Sequence, residues 1–225
     1  MVCYICGLVG ANTRDHVIPQ CFFTPPPPPN LLTLRAHHAC HHRLDEEYTR
    51  NLLASLGRNS SVSAAHLWGN AGAVWRSYAR NAPLRRATVA GMVPRTEVFS
   101  PGGIYLGDAP AIRFDRTRVY PTLEKIVRGL HCHHTGRLLP RGASFAWSLN
   151  EILYGVREQL FEYATPGLHY SDVFESRYVV EEQNGLEFTA WWLRFYQWTV
   201  FRCLVAPHAI GQAAGRGGVS ETGGA

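Results

Sequence analysis

The sequence predicts an α+β protein. An N-terminal strand–loop–strand–helix unit stapled by a metal is followed by a mixed domain of helices and antiparallel strands. Three observations predict this. Two pairs of soft ligands, Cys3-x-x-Cys6 and His37-x-x-Cys40, bracket the first forty residues. Leu44, Tyr48, Leu52 and Leu56 then recur every four positions, which gives one apolar helical face. From residue 93 the pattern changes to short β-branched and aromatic runs separated by Pro-Gly-Gly and Gly-Asp-Ala-Pro turn signals. The expected domains are a metal-stapled unit at 1–58, a helical connector at 59–90, an α+β domain at 91–208 and a disordered tail at 209–225.

Taken in order, Cys3-Tyr-Ile-Cys6-Gly7 reads as a metal knuckle, whose glycine lets the backbone turn its N–H groups toward the thiolates. A strand is expected over 15–19, ending at Pro19. The five prolines at 25–29 form a stiff connector of fixed length. Residues 31–34 form the return strand, and 40–56 a helix capped by Gly57. A second helix is expected over 59–81, starting near Ser61 or Ser63, with Leu67, Val74, Trp75 and Tyr78 inward. Pro83 breaks it, and Arg85-Arg86 lies in a short helix or turn. Short strands are expected over 93–99, 103–106 and 111–114. A helix capped by Asp115 runs over 117–132. Then come a strand over 144–149, a helix or turn over 150–158, and long strands over 173–181 and 187–204. Residues 209–225 are rich in Gly and Ala with no apolar pattern.

The 225 residues, 46% hydrophobic and 12% aromatic, describe a folded globular chain with a net charge of +5. That charge is unevenly placed. Residues 59–141 carry eleven Arg and Lys125 against four acids, whereas 142–225 carry five Arg against nine acids. The basic middle either faces a polyanion or pairs with the acidic end. Lys125, the only lysine, and Arg128 follow Arg113, Arg116 and Arg118 as a candidate phosphate-tracking patch. Cys3 and Cys6 stand where a cationic leader would be, and no apolar run is long enough to span a bilayer, so a cytoplasmic location without membrane contact is expected. Six cysteines in such a setting point to metal rather than disulfides.

Cys3, Cys6, His37 and Cys40 fit a structural zinc. Each pair has the two-residue spacing of a knuckle, and together they supply four tetrahedral ligands. His38 is the alternative at one corner, and Cys21 is a spare, read as a small buried apolar residue. Fifty residues with little core need such a staple. A second chemistry sits between the pairs. Asp15 and His16 are adjacent, so on a strand their side chains diverge, one toward a divalent cation and one toward a water. His41 follows the last knuckle ligand and is a second candidate ligand for that cation. Asn30 lies between the strands and could orient the His16 ring. Cys132 among His131, His133 and His134 is a weaker metal candidate, set against the ordinary occurrence of His at a helix C-terminus.

The pattern Cys-x2-Cys, Asp15-His16-Val17-Ile18-Pro19, Asn30, His37-x2-Cys40-His41 and Asp45-Glu46-Glu47-Tyr48 resembles the HNH endonucleases of the zinc-stapled ββα-metal fold. The resemblance covers residues 1–57. It departs from the family where a knuckle cysteine is His37 and where the final asparagine is His41. It implies metal-dependent hydrolysis of phosphodiesters in nucleic acid, most simply DNA. His16 is then the general base, Asp15 and His41 the ligands of a catalytic Mg2+ or similar ion, and Asn30 the orienting residue. A non-catalytic zinc module that binds nucleic acid or protein is the rival expectation. Residues 60–225 resemble no family, and a homodimer or protein partner is expected to use that part.

Overall fold

The computed structural model describes residues 1–41, 43–69, 72–100, 102–149 and 163–209. It is a mixed α/β structure with antiparallel sheets. The helix or turn expected over 150–158 lies outside these residues, as does the expected tail apart from Ala209, which ends the last strand.

The N-terminal unit is a hairpin of β1 (Thr13–His16) and β2 (Thr33–Ala36), paired from Thr13 opposite Ala36 to His16 opposite Thr33. Both strands lie two residues from their expected positions. Val17 and Ile18 are buried consecutively rather than alternately, so the chain leaves the ladder there for the turn Gln20–Phe22. Helix α1 (Arg43–Gly57) follows a short turn at His38–Cys40. Tyr48 and Leu52 are buried as expected, but Leu44, in the first turn, is exposed. Gly57 closes the helix against the sheet, where a Cβ would stand 2.5 Å from that of Tyr196.

The single helix expected over 59–81 is two: α2 (Val62–Trp68) and α3 (Ala73–Arg80). The break lies at Gly72, where a Cβ would fall 2.3 Å from the Leu67 carbonyl. Trp75, expected inward, is exposed. Helix α3 ends at Arg80, just before Pro83, and Arg85-Arg86 lies in a short helix as expected, α4 (Ala82–Ala90); Pro83 sits in its first turn, where its missing N–H costs nothing, and Asn81 accepts from the Leu84 N–H. The three short strands expected next are one hairpin, β3 (Met92–Phe99) with β4 (Tyr105–Ile112). The segment read as a Gly-Asp-Ala-Pro turn lies within β4.

Helix α5 (Arg116–Thr135) is capped by Asp115, whose carboxylate accepts from the Thr117 N–H. Five antiparallel strands follow: β5 (Phe145–Leu149), β6 (Thr165–Tyr170), β7 (Phe174–Gln183), β8 (Leu186–Phe195) and β9 (Thr199–Ala209), in spatial order β5-β9-β8-β7-β6. The strand expected over 187–204 is thus two. They are joined by a tight turn in which Tyr196 and Gln197 take positive φ, 49° and 59°. One buried core joins Phe22 and Leu53 of the N-terminal unit to Leu123 of α5 and Trp191 and Phe201 of the sheet. The Tyr196 hydroxyl donates to the Phe22 carbonyl at 2.8 Å, and the Tyr170 hydroxyl accepts from the Leu32 N–H at 3.0 Å. No helix of the described residues is long and apolar enough to cross a membrane.

Candidate metal centre and the acid–histidine cavity

The knuckle is built by local hydrogen bonds. Cys3 N–H donates to the Leu8 carbonyl and Gly7 N–H to the Cys3 carbonyl, both at 2.9 Å, and Gly7 supplies the required positive φ of 73°. The turn at His38–Cys40 brings up the second pair. The ligand atoms of Cys3, Cys6, His37 and Cys40 lie within 4.8 Å of one another. His37 Nδ1 stands 3.3 Å from Cys6 Sγ and 3.9 Å from Cys40 Sγ. Those values bracket the ~3.6 Å between sulfur and nitrogen across a tetrahedral zinc. His37 Nε2 lies 3.0 Å from the Val9 carbonyl and can only donate to it. The Nδ1 lone pair therefore points into the cluster, the arrangement of a metal-ligating histidine. His37, not His38, takes the corner.

The thiols also call for a cation. Burial raises the Cys3 thiol, but hydrogen bonds from the backbone at Cys6, His37 and Ile5 outweigh that and lower it. Burial and the neighbouring Cys3 and Cys6 then push Cys40 up to about 12. Three thiolates side by side call for a positive charge among them, which an ion such as zinc would supply.

The second site is a cavity of about 370 Å³ lined by Arg14, Asp15, His16, Gln20, His41 and Glu46, with Pro19 and Cys21. Asp15 is buried, 7% exposed. Its Oδ2 accepts from the Tyr4 hydroxyl at 2.6 Å and meets Lys125 Nζ at 2.9 Å. Lys125 also pairs with Glu46. Asp15 Oδ1 faces His41 Nδ1 at 3.6 Å. On the far side of that ring, Nε2 lies 3.1 Å from the Thr13 hydroxyl, whose hydrogen is directed to the Ala36 carbonyl at 3.0 Å. The His41 ring thus lies between a carboxylate on its Nδ1 side and a hydroxyl on its Nε2 side.

His16 stands at the mouth. Its Nε2 accepts from the Gln20 amide at 3.2 Å, so the lone pair of that nitrogen is held by a neighbour on the cavity wall. Burial lowers its basicity, and nearby Lys125 and Arg14 add to this against the opposite pull of Asp15 and Glu46. The imidazole is therefore neutral at neutral pH. Asp15, His16 and His41 thus come together at one cavity. Asn30 does not join them. Its side chain is exposed, its carbonyl accepts from the Tyr170 hydroxyl at 3.3 Å, and Gln20 meets His16 instead.

Comparison with family models, curated proteins and solved structures returns no match for this chain. The site is therefore argued from its own geometry. Two residues escaped the sequence reading. Tyr4 looked like knuckle filler, and its one signal is its place between the two cysteines. Lys125 was placed in a solvent-facing basic patch; it is 3% exposed and lies beneath Asp15. Arg128 is buried too, bonded to the carbonyls of Leu139 and Pro140. Both are removed from any phosphate-tracking surface. Cys132 gains no partners either: the only metal-competent cluster among the described residues is the N-terminal one. His131 instead bonds Glu187, and His134 stacks on Tyr178.

Proposed function

We propose that the chain is a metal-dependent endonuclease of the HNH type, hydrolysing phosphodiester bonds in nucleic acid, most simply DNA. One observation carries the reading. Asp15 Oδ1 and His41 Nδ1, both able to ligate a divalent ion, face each other at 3.6 Å on the wall of the cavity that His16 also lines. Adjacent ligands of Mg2+ at ~2.1 Å stand ~3.0 Å apart, so a small shift of the ring would close the pair on one ion. Asp15 and His41 would hold Mg2+ or a similar ion. That ion, when bound, supplies charge stabilisation for the phosphate and the leaving oxygen.

The protein's own residues do the rest. His16 Nε2, on a neutral ring lining the cavity, exchanges the Gln20 amide for a water and accepts its proton. The water oxygen forms its bond to phosphorus as the ester oxygen departs and takes a proton from solvent. Asp15 Oδ2 is held by the Tyr4 hydroxyl and Lys125. The zinc cluster holds Tyr4 and His41 in place from either side. Asn30, whose side chain is exposed and whose backbone carbonyl accepts from the Tyr170 hydroxyl, takes no part in orienting the His16 ring. The strand–strand–helix order, with metal ligands at both ends, supports the ββα-metal assignment. A polyanionic substrate is supported by α2–α4, which contain no acidic residue and expose Arg76, Arg80, Arg85 and Arg86.

The test is cleavage of plasmid DNA, single-stranded DNA and RNA by zinc-loaded protein with Mg2+ or Mn2+, against His16→Ala. Removing a general base should slow cleavage by about 10²–10⁴-fold. A protein that cuts none of these substrates, or a variant that cuts as fast as the wild type, overturns the assignment.

A further inference from the structure

Helix α5 lies outside the 1–57 unit, yet it delivers a charged group to two carboxylates of the cavity wall, Asp15 and Glu46. Gly129 sits one turn after Lys125 on the same helical face. A Cβ at Gly129 would stand 2.5 Å from the Val17 side chain and 3.1 Å from the Tyr4 ring. The missing side chain thus lets α5 press against the hairpin and places Lys125 beneath Asp15. Leu123, Ile126, Val127 and Leu130 bury the helix around it. A desolvated ammonium is tolerated only where paired, and here it has two carboxylates, Asp15 and Glu46.

We propose that Lys125 is a positioning residue of the reaction centre: its ammonium occupies Asp15 Oδ2 and Glu46, so that the divalent ion meets Asp15 through Oδ1 alone. The inference rests on the nuclease reading. Two physical consequences follow. With Lys125 present, Asp15, Glu46 and Lys125 sum to one negative charge; without it they sum to two. Lys125 thereby weakens attraction for the ion while fixing where it sits. Its removal frees Asp15 Oδ2 and Glu46 to close around the metal. The ion should then be held more tightly and in the wrong place. Simple loss of structure would weaken binding and rate together.

The experiment is Mn2+ titration of zinc-loaded protein, with free Mn2+ counted by electron paramagnetic resonance, alongside cleavage at saturating Mn2+. Lys125→Met should bind Mn2+ about tenfold more tightly and cleave about 100-fold more slowly. Unchanged or weaker binding in folded K125M, or a wild-type rate at saturation, overturns the proposal. Should K125M not fold, Glu46→Gln with Lys125→Met removes one charge of each sign. That pair should bind Mn2+ within about threefold of wild type, since the local charge is restored, yet remain slow. A wild-type rate in the double variant likewise overturns it. If wild type holds a Mn2+ that Asp15→Asn abolishes but cuts nothing, the nuclease reading falls and the binding measurements alone decide Lys125. If wild type holds no such ion, the Lys125 proposal falls.

Discussion

Helix α5 carries two buried ion-pair networks less than two turns apart. At Lys125 the partners are Asp15 and Glu46, with Tyr4 on the same carboxylate oxygen. At His131 the partner is Glu187, which also meets Arg137. His131 and Glu187 are fully buried, and Nδ1 of the ring lies 3.1 Å from the Arg137 carbonyl. The first network instead leaves Asp15 Oδ1 at the edge of a cavity beside His41 and His16. Burial and opposite charge are common to both, so neither marks function by itself. What separates them is a carboxylate oxygen left at the edge of open space with an imidazole nitrogen opposite it.

The largest expected effect breaks the frame that holds the open network. Tyr4 sits between Cys3 and Cys6, and His41 directly follows Cys40. Structural zinc contributes on the order of 10 kcal/mol in small domains. Chelation, or Cys6→Ser, should therefore unfold the N-terminal unit and lower the helical circular-dichroism signal. Zinc-free C6S protein with an unchanged spectrum and melting temperature would falsify the staple.

Next comes the closed network. Burial raises the Glu187 carboxyl, but the His131 and Arg137 charges outweigh it and hold it below the usual carboxylate range. Glu187→Gln removes the carboxylate that pairs with buried His131, while Arg137 keeps Glu182 at 2.6 Å, at a cost of about 3–5 kcal/mol. Cleavage per folded molecule should stay as in wild type, in contrast to K125M. Denaturant titration and single-turnover cleavage read the two quantities separately. A selective loss of rate in E187Q would erase the distinction between the networks.

This contrast also explains what the chain disclosed before its structure was known. The Cys3-Cys6-His37-Cys40 cluster was legible because a knuckle is local: Cys3 and Cys6 fix their own turn, as do His37 and Cys40. That Asp15, His16 and His41 meet at one cavity was legible through their order along the chain. Lys125 was not, because its role depends on α5 packing on the hairpin, and that depends on an unremarkable Gly129. The β8–β9 turn was missed for a different reason. Tyr196 and Gln197 take positive φ without the Gly or Asn that advertises it, held by the burial of Tyr196 and its bond to Phe22. Asn30 shows the opposite failure, since a matching residue type in the right order did not bring its side chain to His16.

The smallest effect concerns protons on the closed side. His134 stacks on Tyr178 at 4.4 Å between centroids, and its buried Nε2 has no hydrogen-bond partner. Burial pulls its pKa down from 6.5 to about 4, and the neighbouring His133 and His131 add to this. Between those two values the unfolded chain binds a proton that the folded chain refuses. Stability therefore falls as pH drops from 6.5 toward about 4, and the loss is complete only below the folded pKa. His134→Phe keeps a ring against Tyr178 and removes the titration, so its melting temperature should fall less steeply over that interval. Parallel curves for the two proteins would place the acid sensitivity elsewhere. His16 is lowered by burial as well, but its ring faces the cavity. Its proton should therefore be read in the rate of cleavage, and that of His134 in melting temperature alone.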